Sequence, residues 1–304
     1  MKRSAPLNAG LLVLAGAIML SFAGIFARLS DMPPTASGFY RMAFGTLAFA
    51  GLLLARPETR AGWRDNWAGS ALIGLFFAGD IWIWHRAIEY IGPGLATLLA
   101  NFQVFVLTLI GVVWMRERVG WRFALGLALA MGGLWLLFGS DWHNLPPDYR
   151  TGIVFGLLAA LAYALYLLSL RGFQIRHAHI RPEARLLQST FFCALLLGAA
   201  NLAEGNSFVI PDGMALLWLV LLGLVCQMLG WLVITRGMPV LPAALVGLLL
   251  LLQPASAVLW DFLIFGLRLS WLQMGGLALA LMGIYLGLRA TGRNRRSGNS
   301  TAAS

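Results

Sequence analysis

The segment DIWIWHRAIEYIGPGLATLLANFQ, Asp80 to Gln103, reads as the end of one membrane-spanning helix, a tight turn at Gly92-Pro93-Gly94, and the start of the next. It carries Asp80, His85, Arg86, Glu89, Asn101 and Gln103 within a largely apolar chain. An ionisable group at bilayer depth costs at least ~2.5 kcal/mol, so such groups mark functional-site candidates. The same stretch has a faded copy further along. A shift of 150 residues puts Arg86 on Arg236, Gln103 on Gln253 and Trp121 on Trp271. It also lays the run Gly126–Gly133 over Gly276–Gly283. Matches of rare residue types at one fixed offset are the mark of an internal repeat.

Composition points the same way. Sixty per cent of the 304 residues are hydrophobic and 11% are charged, against roughly a quarter charged in soluble domains. Ten spans of about 20 residues with short connections fill such a chain, which leaves no separate soluble domain to expect. The expected spans are 9–29, 35–55, 66–90, 93–115, 120–138, 151–170, 184–203, 214–236, one from Pro242, and 271–290. A signal peptide is the rival reading of the first run, but the run is long and lacks a small-x-small cleavage site. The domain reading is a first repeat at 1–138, a periplasmic connection at 139–150, a second repeat at 151–290, and a disordered cytoplasmic tail at 291–304.

The net charge of +10 would suggest nucleic acid in a soluble protein. Here its distribution gives another account. With the N-terminus inside, the outer ends hold only Arg28, Arg150 and Arg268, while Arg41 and Arg86 lie within spans. The rest of the 22 Lys and Arg fall on the inner side. That asymmetry predicts both termini in the cytoplasm. Basic and aromatic residues do not interleave, so nucleic acid is not an expected partner. Cys193 and Cys226 both fall in apolar spans and read as packing residues.

Five helices per half is an odd number, so a duplicated unit inserts upside down the second time. The fold class expected is therefore an all-α integral membrane protein, with ten transmembrane helices as two inverted five-helix repeats. Such repeats place a substrate site between the halves and expose it to each side in turn. At ~1.5 Å of rise per residue, Arg41, Asp80, His85, Asn101 and Gln103 fall within the outer half of the membrane. The second half offers Tyr163, Tyr166, Gln188, Gln227, Trp231 and Gln253, suited to stacking and hydrogen bonding.

The candidate substrate-binding set is Arg41, Asp80, Trp84, His85, Asn101, Gln103, Tyr163, Tyr166, Gln227, Trp231 and Gln253. Each also has a structural reading. Arg41 and Asp80 either pair to tie two helices or face a substrate path. His85 lines a cavity, titrates, or bonds a backbone carbonyl. Asn101 and Gln103 equally suit interhelical hydrogen bonding. Arg86 and Glu89 read as snorkelling interfacial residues, and Asp261 with Arg268 as structural. No phosphate-cradling loop, metal-spaced cluster or nucleophile pattern is present, so neither cofactor nor metal is expected.

Four stretches carry a family resemblance: IFARLSDMPPTASGFYRMAFG, GDIWIWHRAIEYIGPGLATLLANFQVF, RERVGWRFALGLALAMGG, and the long run from Leu241 to Tyr285. Together they resemble the drug/metabolite transporter superfamily, of the type with two EamA repeats. The resemblance implies ten helices, an inverted repeat, and export of small metabolites, often amino acids, across a bacterial inner membrane. Arg41, Asp80, His85 and Asn101 match positions that family often fills similarly, and Glu117 matches the acid that commonly closes its fourth helix. Val104 stands where the first repeat usually has proline, which puts a kink in the fourth helix in question. Leu267 stands where the second repeat usually has glutamate.

The reading that follows is a secondary transporter of small amphiphilic metabolites, with the lipid bilayer and a small-molecule substrate as partners and a homodimer left open. The rival is an intramembrane enzyme or lipid-handling protein using Asp80 and His85. A purely structural membrane subunit is the third reading. Proton coupling through Asp80 or His85 competes with simple facilitated movement, which the absence of a titratable partner in the second half favours.

Overall fold

The computed structural model describes residues 5–117, 119–138, 147–266 and 269–300. Among them, nine helices are long and apolar enough to cross a membrane. We label the spans α1 (Leu7–Leu29), α2 (Pro34–Ala55), α3 (Trp67–Pro93), α4 (Leu95–Val113), α5 (Trp121–Leu137), α6 (Tyr149–Arg176), α7 (Pro182–Ala203), α8 (Gly213–Val240), α9 (Ala243–Ile264) and α10 (Trp271–Arg289). Of these α5 is the shorter, tenth helix. The chain is thus a multi-pass membrane protein.

Local chemistry sets the helix starts. Pro34 and Pro182 open α2 and α7, where a missing N–H costs nothing. Asp212 caps α8 by accepting from the Ala215 N–H at 2.7 Å. Asn66 caps α3 from a left-handed backbone, accepting from the Gly69 N–H at 3.1 Å. Between α3 and α4, Gly92 takes φ 77 and ψ 163, where a side chain is strained.

Contacts between the halves follow one rule. Helix α2 lies against α7, α4 against α9, and α5 against α10. Helix α1 meets α8 and α9, while α6 meets α3 and α4; α2 also meets α8, and α7 meets α3. Exchanging every helix for the one five places along leaves this pattern unchanged. The three counterpart pairs run antiparallel. Gly126 lies against Gly283 and Gly133 against Gly276. Gly38 sits by Leu197, while Leu53 packs with Ala184 towards the other end. Gly111 lies near Ala244, and Gly247 near Val104 and Leu107. At these crossings a Cβ would meet neighbouring backbone or packed side chains, so glycine permits the approach that van der Waals packing in lipid relies on.

Four spans are interrupted. Helix α1 breaks at Phe22, and α8 carries a π-helical segment at Leu222–Gly230. Helix α4 breaks at Asn101–Phe102 and α9 at Leu251, which are repeat-related positions. In α9 the cause is Pro254, which has no N–H to give. The kink left in question by Val104 is present in α4 without proline. The Phe102 N–H turns to the Leu99 carbonyl at 2.9 Å, and the Asn101 amide bonds the Thr97 carbonyl at 2.8 Å. An asparagine competing for main-chain groups does there what proline does in α9.

Two sequence expectations need correction. Helix α6 runs to Arg176 and α7 starts at Pro182, so the connection expected between the spans at 151–170 and 184–203, rich in Arg and His, shrinks to 177–181. Arg171 and Arg176 ride on α6, and Arg185 is a buried residue of α7. The tail expected to be disordered from Thr291 continues the last helix to Ser300. Propagating a helix already nucleated is far easier than starting one. The connection at 139–146, Leu267, Arg268 and residues 301–304 lie outside the described residues, as does the side chain of Asp261.

Candidate functional site

Four elements bring polar and aromatic groups together inside the bundle. Arg41 of α2 donates from Nε to Oε1 of Gln227 on α8 at 3.2 Å. Its guanidinium carbon also stands 5.7 Å from the ring centroid of Phe77 on α3. Phe77 stacks on Tyr166 of α6, with centroids 4.2 Å apart and planes 9° from parallel. Trp231 of α8 meets both rings edge-on, 4.8 Å from Tyr166 and 5.5 Å from Phe77. Tyr163, one turn before Tyr166, stacks loosely at 6.4 Å. Asp80, one turn after Phe77, lies within electrostatic range of Arg41, Tyr163 and Tyr166. Two helices of the first half and two of the second therefore build one aromatic box with a cation and an acid beside it.

Helical spacing explains the convergence. Phe77 with Asp80, Tyr163 with Tyr166, and Gln227 with Trp231 are three or four apart, so each pair shares a face. The π segment ends at Gly230, just before Trp231. Such bulges re-aim side chains and recur at functional sites. Gly45 lets α8 close on α2, because a Cβ there would press on the Gln227 side chain.

Of the two readings of Arg41 and Asp80, the ion pair is not formed among the described residues; Arg41 donates to Gln227. The Asp80 carboxyl and the rest of the Arg41 guanidinium are therefore left without a hydrogen-bond partner among the described residues. Trp231 is 1% exposed and Gln227 fully buried, yet Trp231 Nε1 and Gln227 Nε2 have no hydrogen-bond partner. Buried polar atoms are nearly always satisfied. Two orphans beside a free acid and a singly bonded guanidinium suit a polar ligand.

The other candidates make no hydrogen bond or ring contact with this box among the described residues, although His85 lies within electrostatic range of Arg41. His85 lies next to Trp84, ring centroids 5.2 Å apart, and its buried Nδ1 is unpartnered. Asn101 serves its own helix through the Thr97 bond. Gln103 is fully buried and donates to the Gly247 carbonyl at 3.4 Å, with Oε1 unpartnered. Gln253 is partly buried just past the break in α9. No hydrogen bond among the described residues joins Asn101, Gln103 or Gln253 to Arg41.

Several residues escaped the sequence reading. Phe77 is the centre of the box, and its signal was available: the 150-residue shift places it on Gln227. Glu204, just past α7, accepts from Trp82 Nε1 at 2.7 Å and from Asn206 Nδ2 at 2.8 Å, and pairs with Arg86. Arg86 also pairs with Glu89 at 2.9 Å within α3, and its Glu204 pair makes it a tie towards the end of α7, beyond the interfacial role expected of Arg86 and Glu89. Burial raises the Glu204 carboxyl, but hydrogen bonds from Thr35, Trp82 and Arg86, with the Arg86 charge, outweigh that and hold it below its ordinary 4.5. At the far end of the bundle Glu117 accepts from the Ala243 N–H at 2.7 Å and lies 3.6 Å from Arg171. Arg236 pairs with Glu183 at 2.9 Å. Each end of the bundle is thus tied across helices by its own ion pairs.

Known proteins share this plan. A model of the EamA-like transporter family matches twice, over residues 7–139 and 150–289. An uncharacterized protein of Pseudomonas aeruginosa is 30% identical over 283 residues, 89% of this chain and 94% of that protein. An uncharacterized transporter of Archaeoglobus fulgidus is 25% identical over 289 residues, 91% and 95% of the two chains. A crystal structure sharing 20% identity superposes with a TM-score of 0.79, covering 94% of this chain and 98% of that one, and shows the fold to be shared. Ten apolar helices in two matched halves, with polar and aromatic groups meeting between them, place this chain in the EamA-like transporter family.

Proposed function

We propose that this transporter exports small amphiphilic metabolites, amino acids or related compounds, by alternating access across the bacterial inner membrane. The observation that carries it is the box of Arg41, Phe77, Asp80, Tyr166, Gln227 and Trp231, drawn from both halves with its charges unpaired. A guanidinium suits a carboxylate, Asp80 suits an ammonium, and the stacked rings suit an apolar side chain. Tyr163 stacks on the same box, and Trp84 with His85 lies one to two turns further along α3. The antiparallel crossing of repeat-related helices supports an inverted repeat. That pseudo-two-fold symmetry lets the two halves exchange conformations, so that the site faces opposite ways. The distribution of basic residues supports cytoplasmic termini.

The enzyme reading needs Asp80 and His85 to work together. They stand five apart on α3, and no hydrogen bond joins them among the described residues, so the geometry favours transport. The test is counterflow in proteoliposomes, with a panel of labelled amino acids trapped inside. The expected result is saturable exchange for one chemical group of the panel, lost in Arg41→Gln. A wild type that behaves like protein-free liposomes across the panel, with folded protein demonstrated, overturns the proposal.

A further inference from the structure

The second half lacks an image of Arg41: over this helix the repeat runs at a shorter offset of 147, which puts Gln188 there. One turn away on the same helix is Arg185, which is 1% exposed. Its Nη1 donates to the Ser70 hydroxyl at 3.2 Å, and its guanidinium carbon lies 5.4 Å from the Phe173 ring centroid. Ser70 donates in turn to Gln188 Oε1 at 2.5 Å. Gln188 Nε2 reaches the carbonyls of Trp63 at 2.7 Å and Asp65 at 3.2 Å. Nε and Nη2 of Arg185 are buried with no hydrogen-bond partner. No carboxylate among the described residues forms an ion pair with it. A buried cation normally has an anion, and here one hydroxyl, itself held by Gln188, and one ring hold the side chain in place while leaving one of its N–H edges free.

That edge has a definite chemistry. Two N–H groups side by side on a planar cation match the two oxygens of a carboxylate. Helices α2 and α7 are antiparallel, with Gly38 by Leu197 and Leu53 by Ala184. Arg41 is therefore level with about residue 196 of α7, and Arg185 lies eleven residues nearer the other end, roughly 16 Å at ~1.5 Å per residue. We propose that Arg185 is a second oxyanion subsite, taking the carboxylate of a small solute at the end of the bundle opposite to Arg41. Gln188 holds the loop carrying Trp63 and Asp65 one turn away on the same helix. Its place on a transport path rests on the function proposed above; its capacity to bind a carboxylate does not.

The probe is acetate, and the readout is the thermal unfolding midpoint of the purified full-length protein in detergent, at constant ionic strength against chloride. The measurement is made in an Arg41→Gln background, so that the central site does not contribute. We expect a saturable rise in the midpoint with acetate. Arg185→Lys keeps charge and bulk but loses the paired edge, and should raise the half-maximal acetate concentration at least tenfold. Arg185→Gln should abolish the rise. The proposal is overturned by no rise in the Arg41→Gln protein, or by a rise that Arg185→Lys leaves unchanged, since Arg185 would then only brace α3 and α6. Absence of transport in liposomes would leave this binding result intact, and a negative binding result would leave the transport reading intact.

Discussion

Arg41 spends one hydrogen-bond donor on Gln227 and leans on Phe77, yet forms no ion pair among the described residues. A hydrogen bond to a charged group contributes about 1.5–3 kcal/mol. Arg41→Gln should therefore cut the initial transport rate ten- to a hundredfold while leaving the unfolding midpoint near wild type. Gln227→Ala removes the same bond from the other side. The double variant should be no worse than Arg41→Gln alone, whereas independent roles would make the two losses multiply. Glu204 is tested by pH. Its folded carboxyl titrates below the ordinary value, so its stabilising contribution is complete above about pH 4.5 and is lost as pH falls further. The wild-type midpoint should drop more steeply below that pH than that of Glu204→Gln; parallel curves would show that the Arg86 tie carries no stability. The sequence exposed Arg41, Asp80 and Trp231 through chemistry rare in lipid. It hid Phe77, because one phenylalanine among 18 is unremarkable until the fold sets it under a guanidinium. It hid Arg185 because a basic residue near a basic loop looks like loop.

The helices break where the repeat says they should, but by different means. At Val104 the N–H already bonds the Asn101 carbonyl at 3.2 Å in a tightened turn, outside the ordinary helical ladder. Val104→Pro should therefore fold and transport at near wild-type rates, since the break is in place. Leu107→Pro, one turn on within regular helix, faces the full interior penalty of about 3 kcal/mol and should fail to accumulate. Equal yields of the two variants would mean that α4 has no special turn. The α5–α10 crossing makes a second test. Gly133 faces the backbone of Gly276 and Ala280, so Gly133→Val should cost about 1–3 kcal/mol by overpacking and lower the unfolding midpoint. Gly132, which faces only a leucine methyl at 3.8 Å, should accept valine with little change. Periodicity and proline placed most of these elements. The extra length of α6 and the break in α4 were not legible, because both depend on side chains finding main-chain partners: Arg171 on the Leu241 carbonyl, and Asn101 on Thr97.

Across the whole molecule, the halves meet through contacts that survive exchange of each helix for its counterpart, and each end is closed by its own charged ties. Arg86–Glu204 and Arg236–Glu183 use repeat-related arginines at opposite ends. This is the framework that the alternating access proposed above calls for, with ties at one end forming as those at the other break. The duplication was legible from Arg86, Gln103 and Trp121 and their images. Which groups tie the ends was not, because Glu204 and Glu183 sit at helix termini where acids are ordinary. The measurement that bears most directly on alternating access is labelling from each side of the membrane. A single cysteine at Tyr163→Cys, in a protein with Cys193→Ala and Cys226→Ala, is exposed to a membrane-impermeant maleimide in oriented vesicles. The account predicts labelling from either face, slowed by a transported solute on both. Labelling from one face only, at every solute concentration, would contradict it.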